Sequence, residues 1–419
     1  MPPCIGLVWT MLRRDDVVVL AWLTLLPLVG YFVLPKIGIT MLYNARLLPY
    51  WYFGMYVFAG IALGLAAVEI GRRFPLRRSV TIGLSLGAGF IVLVASILSI
   101  HDVPGWVKWN FEGYEGKADY AEYRTLMETV DTLPPGRIMW EANSEMNKYG
   151  TPMALMLFPY WSEGHPSMEG LFFESSLTTP FHFLNASEVS ERPSNPVRGL
   201  DYRGFNMERG IAHLAVYNVA YYVSFTDAGA DAARVAGLVE VGTAPPWHIF
   251  AMPPSDLVDI ATIEPAVWAG GGDFLDPALE WYDDVENLDH WLVEDGPQEW
   301  ERVETVEERL LSVDAYDGSG VVSDVVAEDH RISFATTAVG VPHLVKVSYF
   351  PNWTAEGADG PYRAAPSLMV VVPTSEDVVL EFKNTNAENT GMALTLTAAV
   401  GLGVYAYQRR KHRVALDDA

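Results

Sequence analysis

Four long apolar runs constrain this chain more than any other feature. Three fall within the first hundred residues, one lies at the end, and a large acidic block separates them. The runs cover roughly 17–35, 51–70, 80–100 and 391–407. Each approaches the ~20 residues that a helix needs to cross the hydrocarbon core of a bilayer. A chain laid out this way is expected to be a multi-pass membrane protein carrying one large globular block.

Basic residues give the expected orientation. Arg13 and Arg14 precede the first run, Arg72, Arg73, Arg77 and Arg78 separate the second from the third, and Arg409, Arg410, Lys411 and Arg413 follow the fourth. If every run spans, these residues share one side, which the positive-inside rule makes cytoplasmic. The expectation is therefore four spans, both termini cytoplasmic, and residues 101–390 extracytoplasmic. The fourth run is the shortest and is rich in Gly, Ala and Thr; a buried helix is its alternative. The first run is long for the apolar part of a cleaved leader, and no small-x-small site follows it, so it reads as an uncleaved span.

The formal net charge of −24 is not spread evenly. Residues 101–390 hold 16 basic and 47 acidic residues, a net charge near −31. Lysine is scarce, with 7 Lys against 21 Arg. A dense acidic surface poor in lysine resembles that of proteins from salt-loving archaea, where strong salt screens the self-repulsion. An acidic face for cations or a basic partner is the alternative. Nucleic acid is excluded as a partner by sign. The one cysteine, Cys4, precedes the first run, so the block has no internal disulfide and depends on its core.

Within the block, 118–133 has helical spacing, with Tyr123, Leu126, Met127 and Val130 on one face, and Pro134-Pro135-Gly136 ends it. Strands are expected at 137–141, 220–225, 238–241 and 248–252, and helices at 211–219 and 231–237. This alternation suggests an α+β or α/β layer. After about residue 265 the pattern changes. Segments 321–327, 331–338, 343–350, 367–373 and 377–382 alternate as strands of a small antiparallel β-sandwich. The expected divisions are 1–104 with three transmembrane helices, 105–265 as an α/β-type domain, 266–388 as a β-sandwich, and 389–419 as a last transmembrane helix with a basic tail.

Chemistry-bearing residues are few. Arg46, in a first outer loop without any carboxylate, is placed to meet a lipid phosphate; an interfacial anchor among Tyr43, Tyr50, Trp51 and Tyr52 is its alternative. Glu163 and His165, with Glu169 and Glu174 nearby, form the densest acid and imidazole cluster, a pattern able to bind a metal or move protons but matching no specific motif. Asp102, just beyond the third run, is a further candidate acid; a helix-end role is its alternative. Asn185-Ala-Ser187 and Asn352-Trp-Thr354 are N-glycosylation sequons. No phosphate loop, CxxC pair, HExxH or GxSxG occurs, and no cofactor motif is legible.

Segments 136–161 (GRIMWEANSEMNKYGTPMALMLFPYW), 169–183 (EGLFFESSLTTPFHF), 215–225 (AVYNVAYYVSF) and 347–373 (VSYFPNWTAEGADGPYRAAPSLMVVVP), with 45–54 (ARLLPYWYFG), carry a resemblance. Together they resemble the C-terminal part of archaeal and bacterial polytopic membrane proteins named for a relationship to 6-pyruvoyl-tetrahydropterin synthase. Those are grouped loosely with GT-C type glycosyltransferases. The resemblance implies work on lipid-linked sugars in cell-surface glycan assembly, with a polytopic membrane partner. It carries over no catalytic residue, because GT-C enzymes resemble one another in a first-loop acid that this chain lacks. A non-enzymatic surface module that binds an envelope polysaccharide or protein is the competing expectation.

Overall fold

The computed structural model describes residues 18–37, 44–73, 77–99, 102–168, 170, 177–197, 199–311, 315–316 and 319–417. Cys4, Arg13, Arg14, Tyr43, Glu169 and Glu174 lie outside them. The chain divides into two compact units, Met1–Gly113 and Tyr114–Ala419.

The first unit is helical: α1 (Val18–Val33), α2 (Leu48–Arg73), α3 (Arg78–Ser99) and the short α4 (Val103–Phe111). Among the described residues, three helical stretches are long and apolar enough to cross a membrane: Leu20–Ile37, Asn44–Arg73 and Ile82–Ser99. The third is not buried at all within the protein. Leu86, Phe90 and Ile91 on α3 are exposed, an arrangement suited to lipid and not to water. The protein is thus a membrane protein by the character of its N-terminal helices. α1 and α2 pack through Ala21, Met55 and Phe58. They come close at Gly54, where a Cβ would lie 2.2 Å from Thr24 Oγ1. Small residues at such a crossing let two helix backbones draw together in lipid. Thr24 returns its hydroxyl to Leu20 O at 2.8 Å, so no polar group is left over there. The Tyr31 carbonyl would normally accept from residue 35, but Pro35 has no N–H. Asn44 Nδ2 donates to it instead at 2.8 Å.

The second unit opens with α5 (Tyr120–Val130), whose buried face is Tyr123, Leu126, Met127 and Val130, as its spacing predicts. It covers one face of sheet 1, which has the order β1-β2-β4-β3 with β1 (Arg137–Trp140), β2 (Val219–Ser224), β3 (Val239–Ala244) and β4 (Trp247–Ala251). β1 and β2 are parallel; the other pairs are antiparallel. Side chains alternate with the pleat. Ile138, Trp140, Tyr221, Val223 and Ile249 face the α5 side. Met139, Tyr222 and Phe250 face a second core with α6 (Thr179–Glu188), α7 (Met207–Val216) and α8 (Asp227–Val235). Sheet 1 is therefore the middle of three layers, and both cores come from the period-two pattern of its strands.

That second core does not stop at residue 265. It continues through α9 (Leu275–Asp283) and residues such as Trp291, Trp300, Leu344 and Val370. Sheet 3 has the order β5-β11-β14-β13-β7-β6-β8, and β5 (Val258–Ile260) precedes the change of sequence character. Its other strands are β6 (Ala266–Trp268), β7 (Leu292–Val293), β8 (Arg302–Val303), β11 (His343–Val345), β13 (Ala358–Ala364) and β14 (Leu368–Pro373). Sheet 2 has the order β12-β15-β10-β9, from β9 (Val322–Glu328), β10 (Arg331–Thr336), β12 (Trp353–Glu356) and β15 (Asp377–Phe382). Ile332, Phe334, Val378 and Leu380 of sheet 2 meet Val258, Val345, Met369 and Val371 of sheet 3 in one shared core. The two sheets pack against each other through this core. Sheet 2 is antiparallel throughout. Sheet 3 departs from the expectation by being mixed, because β6 runs parallel to both β7 and β8.

The last apolar run lies on α10 (Asn386–Asp417), a continuous helix of 32 residues. Its start is fixed by a capping box. Glu388 accepts from the Thr385 N–H at 2.7 Å, and Thr385 Oγ1 accepts from the Glu388 N–H at 3.3 Å.

Candidate functional site

A cavity of about 280 Å³ lies in the second unit between α6, the 199–203 loop, α7 and the end of α9. Local structure explains its chemistry. Arg209 and His213 stand one turn apart on α7, so both project from the same face. Tyr282 and Asp283 close α9, where carbonyl oxygens are left without helical partners. Arg209 Nη2 donates to Asp283 O at 2.8 Å, and His213 Nε2 donates to Tyr282 O at 2.7 Å. Two side chains of one helix thus satisfy the C-terminal carbonyls of another.

The charges interlock. Glu188, buried at the end of α6, accepts from Arg209 Nε at 2.9 Å and from His213 Nδ1 at 2.7 Å. Asp283 accepts from Arg209 Nη2 at 2.6 Å and from Arg203 Nη2 at 2.6 Å. A carboxylate at a helix C-terminus opposes the macrodipole, and the two arginines offset that cost. Arg203 also reaches Asp201 at 3.3 Å. The ring of His213 stacks on Tyr282 with centroids 3.8 Å apart. The Tyr282 hydroxyl donates to Asn185 Oδ1 at 2.6 Å. Burial pushes the Tyr282 and Tyr217 hydroxyls well above the usual range, so both stay neutral. The Glu188 and Asp283 carboxylates are therefore engaged by cations, while Asp201 and Glu280 remain exposed at the rim.

Two further clusters are structural in their geometry. Arg137 Nη1 donates to Lys346 O at 3.2 Å and to Tyr217 O, and Lys346 Nζ lies 3.3 Å from Ala215 O and 2.8 Å from Asp259. These cations meet the C-terminal carbonyls of α7, where the dipole favours them. Burial lowers the Arg137 pKa to about 10. Glu141, fully buried, lies at the start of α8. It accepts from Phe225 N–H at 2.8 Å, Thr226 N–H at 2.9 Å and Thr226 Oγ1 at 2.7 Å. Burial nevertheless raises its pKa. Gly229 makes room for it, since a Cβ there would lie 2.4 Å from Glu141 Oε2.

The residues nominated from sequence do not converge. Asp102 precedes α4 in the first unit, is exposed, and makes no side-chain cap bond. Glu163 is exposed, whereas His165 is turned inward and buried. His165 Nδ1 lies 2.9 Å from Ser162 Oγ, which donates to Asp131 Oδ1 at 2.6 Å, and Nε2 donates to Pro134 O at 3.1 Å. The serine stands between acid and imidazole, so the order of a nucleophilic triad is not met. His165 ties a turn together and is not aligned with Glu163 for proton transfer. Arg46 is exposed on the short helical turn Asn44–Leu47. Trp51 packs beside the α1–α2 contact, while Tyr50 and Tyr52 are exposed.

Both sequon asparagines are turned inward. Asn185 is fully buried on α6. Asn352 is 4% exposed, and its Nδ2 donates to Lys383 O at 2.8 Å and Glu388 Oε2 at 2.7 Å. In the folded chain neither amide nitrogen is presented for a bulky sugar. Among the described residues no group of three His, Cys, Asp or Glu side chains is arranged to hold a metal ion.

The pocket network was missed from sequence because Glu188, Arg209, His213 and Asp283 come from three helices far apart in the chain. The one local signal was the Arg209 and His213 pair, four residues apart on a helix whose remaining residues, Glu208 apart, are apolar or glycine. No protein-family model, curated protein or solved structure matches the chain significantly.

Proposed function

We propose that the chain is a membrane-anchored, non-catalytic or accessory part of a cell-surface glycan assembly system, related in role to the C-terminal part of a GT-C-like glycosyltransferase. The observation that carries this reading is the state of the pocket. Its buried carboxylate and its α9 carboxylate are both ion-paired, which suits a rigid recognition surface better than proton transfer to a substrate. The open rim of Asp201, Arg203 and Glu280 offers donors and acceptors to a polyhydroxylated ligand. The same rim favours a second reading, a surface module that binds an envelope polysaccharide without any assembly role.

In this reading α10 is a fourth span, both termini are cytoplasmic, and 101–390 is extracytoplasmic, with Arg46 beside the lipid phosphates of the outer face. A deletion strain tests it. The expected result is an altered surface glycan profile and co-purification of the full-length chain with a polytopic partner. Unchanged glycans together with binding of the purified chain to envelope polysaccharide would transfer support to the second reading.

A further inference from the structure

We infer that α4 is an interfacial helix that lies flat in the headgroup region of the bilayer crossed by α3. The inference rests on the membrane reading of α1–α3 and adds a lipid-contact surface to it. α4 is only nine residues, VPGWVKWNF, yet three of its large apolar side chains are turned outward. Trp106 is 63% exposed, Val107 41% and Phe111 82%. At 100° per residue, Val107 and Phe111 share one face, and Trp106 flanks it on one side. Asn110 falls in the same arc, and its Nδ2 bonds back to Trp106 O at 2.8 Å, which engages one of its two N–H groups. Lys108 is exposed and lies to the side of the arc, placed to extend its ammonium toward phosphates.

Lipid is the occupant because the tether to α3 holds α4 at the bilayer surface. α3 ends at Ser99 and α4 begins at Val103. Four residue steps of extended chain cover at most about 14 Å. The headgroup region on each side of the hydrocarbon core is itself roughly 5–8 Å thick, so α4 cannot move far from it. Trp, Phe and Lys are also the residue types that favour this zone, with rings at the boundary and ammonium in the headgroups. α4 belongs by its contacts to the helical first unit, which ends at Gly113.

The test uses the full-length chain with Cys4→Ser, reconstituted in phosphatidylcholine vesicles. Spin labels are placed singly at Trp106→Cys, Val107→Cys, Lys108→Cys and Phe111→Cys, with Phe90→Cys on α3 as the reference. Collision with oxygen, which enriches in lipid, is compared with collision with a water-soluble nickel chelate. Labels at 107 and 111 are expected to show a severalfold higher oxygen-to-nickel ratio than the label at 108, with 106 between them, and a shallower depth than 90. Equal, nickel-dominated ratios at all four α4 positions with a lipid-exposed 90 would overturn the inference alone. A depth that increases steadily from 106 to 111 would also overturn it, since the helix would then be inserted end-on. A nickel-accessible label at 90 would instead remove the membrane reading beneath it.

Discussion

His213 stacks on Tyr282 at 3.8 Å with ring planes 11° apart, and its Nε2 donates to the carbonyl of that same tyrosine. Its other ring nitrogen, Nδ1, lies 2.7 Å from Glu188 Oε2. α6, α7 and α9 are thereby locked by one imidazole. Removing one partner of a buried pair leaves the other without compensation and costs about 3–5 kcal/mol. Glu188→Gln and His213→Phe are each expected to destabilise the second unit by that order, read as a lowered midpoint in denaturant followed by near-UV circular dichroism. A double variant that loses no more than either single change identifies the coupling. Single variants that unfold like the parent protein refute it.

Acid is expected to weaken the second unit in two windows. Glu240 on β3 is held down to about 2 by hydrogen bonds from His248, Thr243 and Arg234. Its folded pKa lies below the unfolded 4.5, so its contribution is present above about pH 4.5 and is lost as pH falls toward 2. His343 is pushed below its model-compound value of 6.5 by burial. Its neutral form, which donates from Nδ1 to Val341 O at 2.8 Å, is favoured above that pH. Below it the unfolded imidazole takes a proton first, and stability falls. Glu240→Gln should flatten the stability curve between pH 4.5 and 2 and leave the slope near pH 6 in place. An unchanged acid limb in that variant contradicts the assignment.

Asn352 joins sheet 2 to α10. Its backbone carbonyl accepts from Lys383 N–H at 2.9 Å while its side chain holds Lys383 O and Glu388. Intact-mass analysis of the native protein is expected to find no glycan on Asn352 or Asn185. Asn352→Ala should speed hydrogen exchange at 383–390, because the first turn of α10 loses its anchor, and leave exchange in sheet 1 unaltered. A glycan-sized mass on either asparagine in folded protein would show that the buried amide opens.

Gly54 sets the distance between α1 and α2. Gly54→Leu inserts a side chain where a single Cβ already meets Thr24, and overpacking of this kind costs on the order of 1–3 kcal/mol. The expected readout is loss of disulfide cross-linking between Ala21→Cys and Met55→Cys, made in a Cys4→Ser background. Cross-linking at the parental rate would mean that the helices do not rely on this approach.

The first three apolar runs were legible in the sequence because a helix able to cross a membrane needs only length and composition, both local properties. The same holds for α5, whose apolar spacing and Pro-Pro-Gly stop identify it, and for β1, β2, β4, β9, β10, β14 and β15, each of which overlaps a segment expected as a strand. β7 and β8 were not legible, being two residues each, and β13 was hidden by Gly360 and Pro361 within it. Tertiary structure alone decided which sheet β5 joins, since its partner β11 lies some eighty residues away. It also decided the fate of the charges. Sequence offered Glu163 beside His165 as a site, but neighbours on a turn point apart, one to solvent and one to the core. Glu188, His213 and Asp283 are remote in the chain and meet only because α6, α7 and α9 bury their apolar faces in one core. Hydrophobic patterning determined that this chain enters a membrane and carries a layered β-rich domain; the packing of helices against one another determined where its buried charges meet.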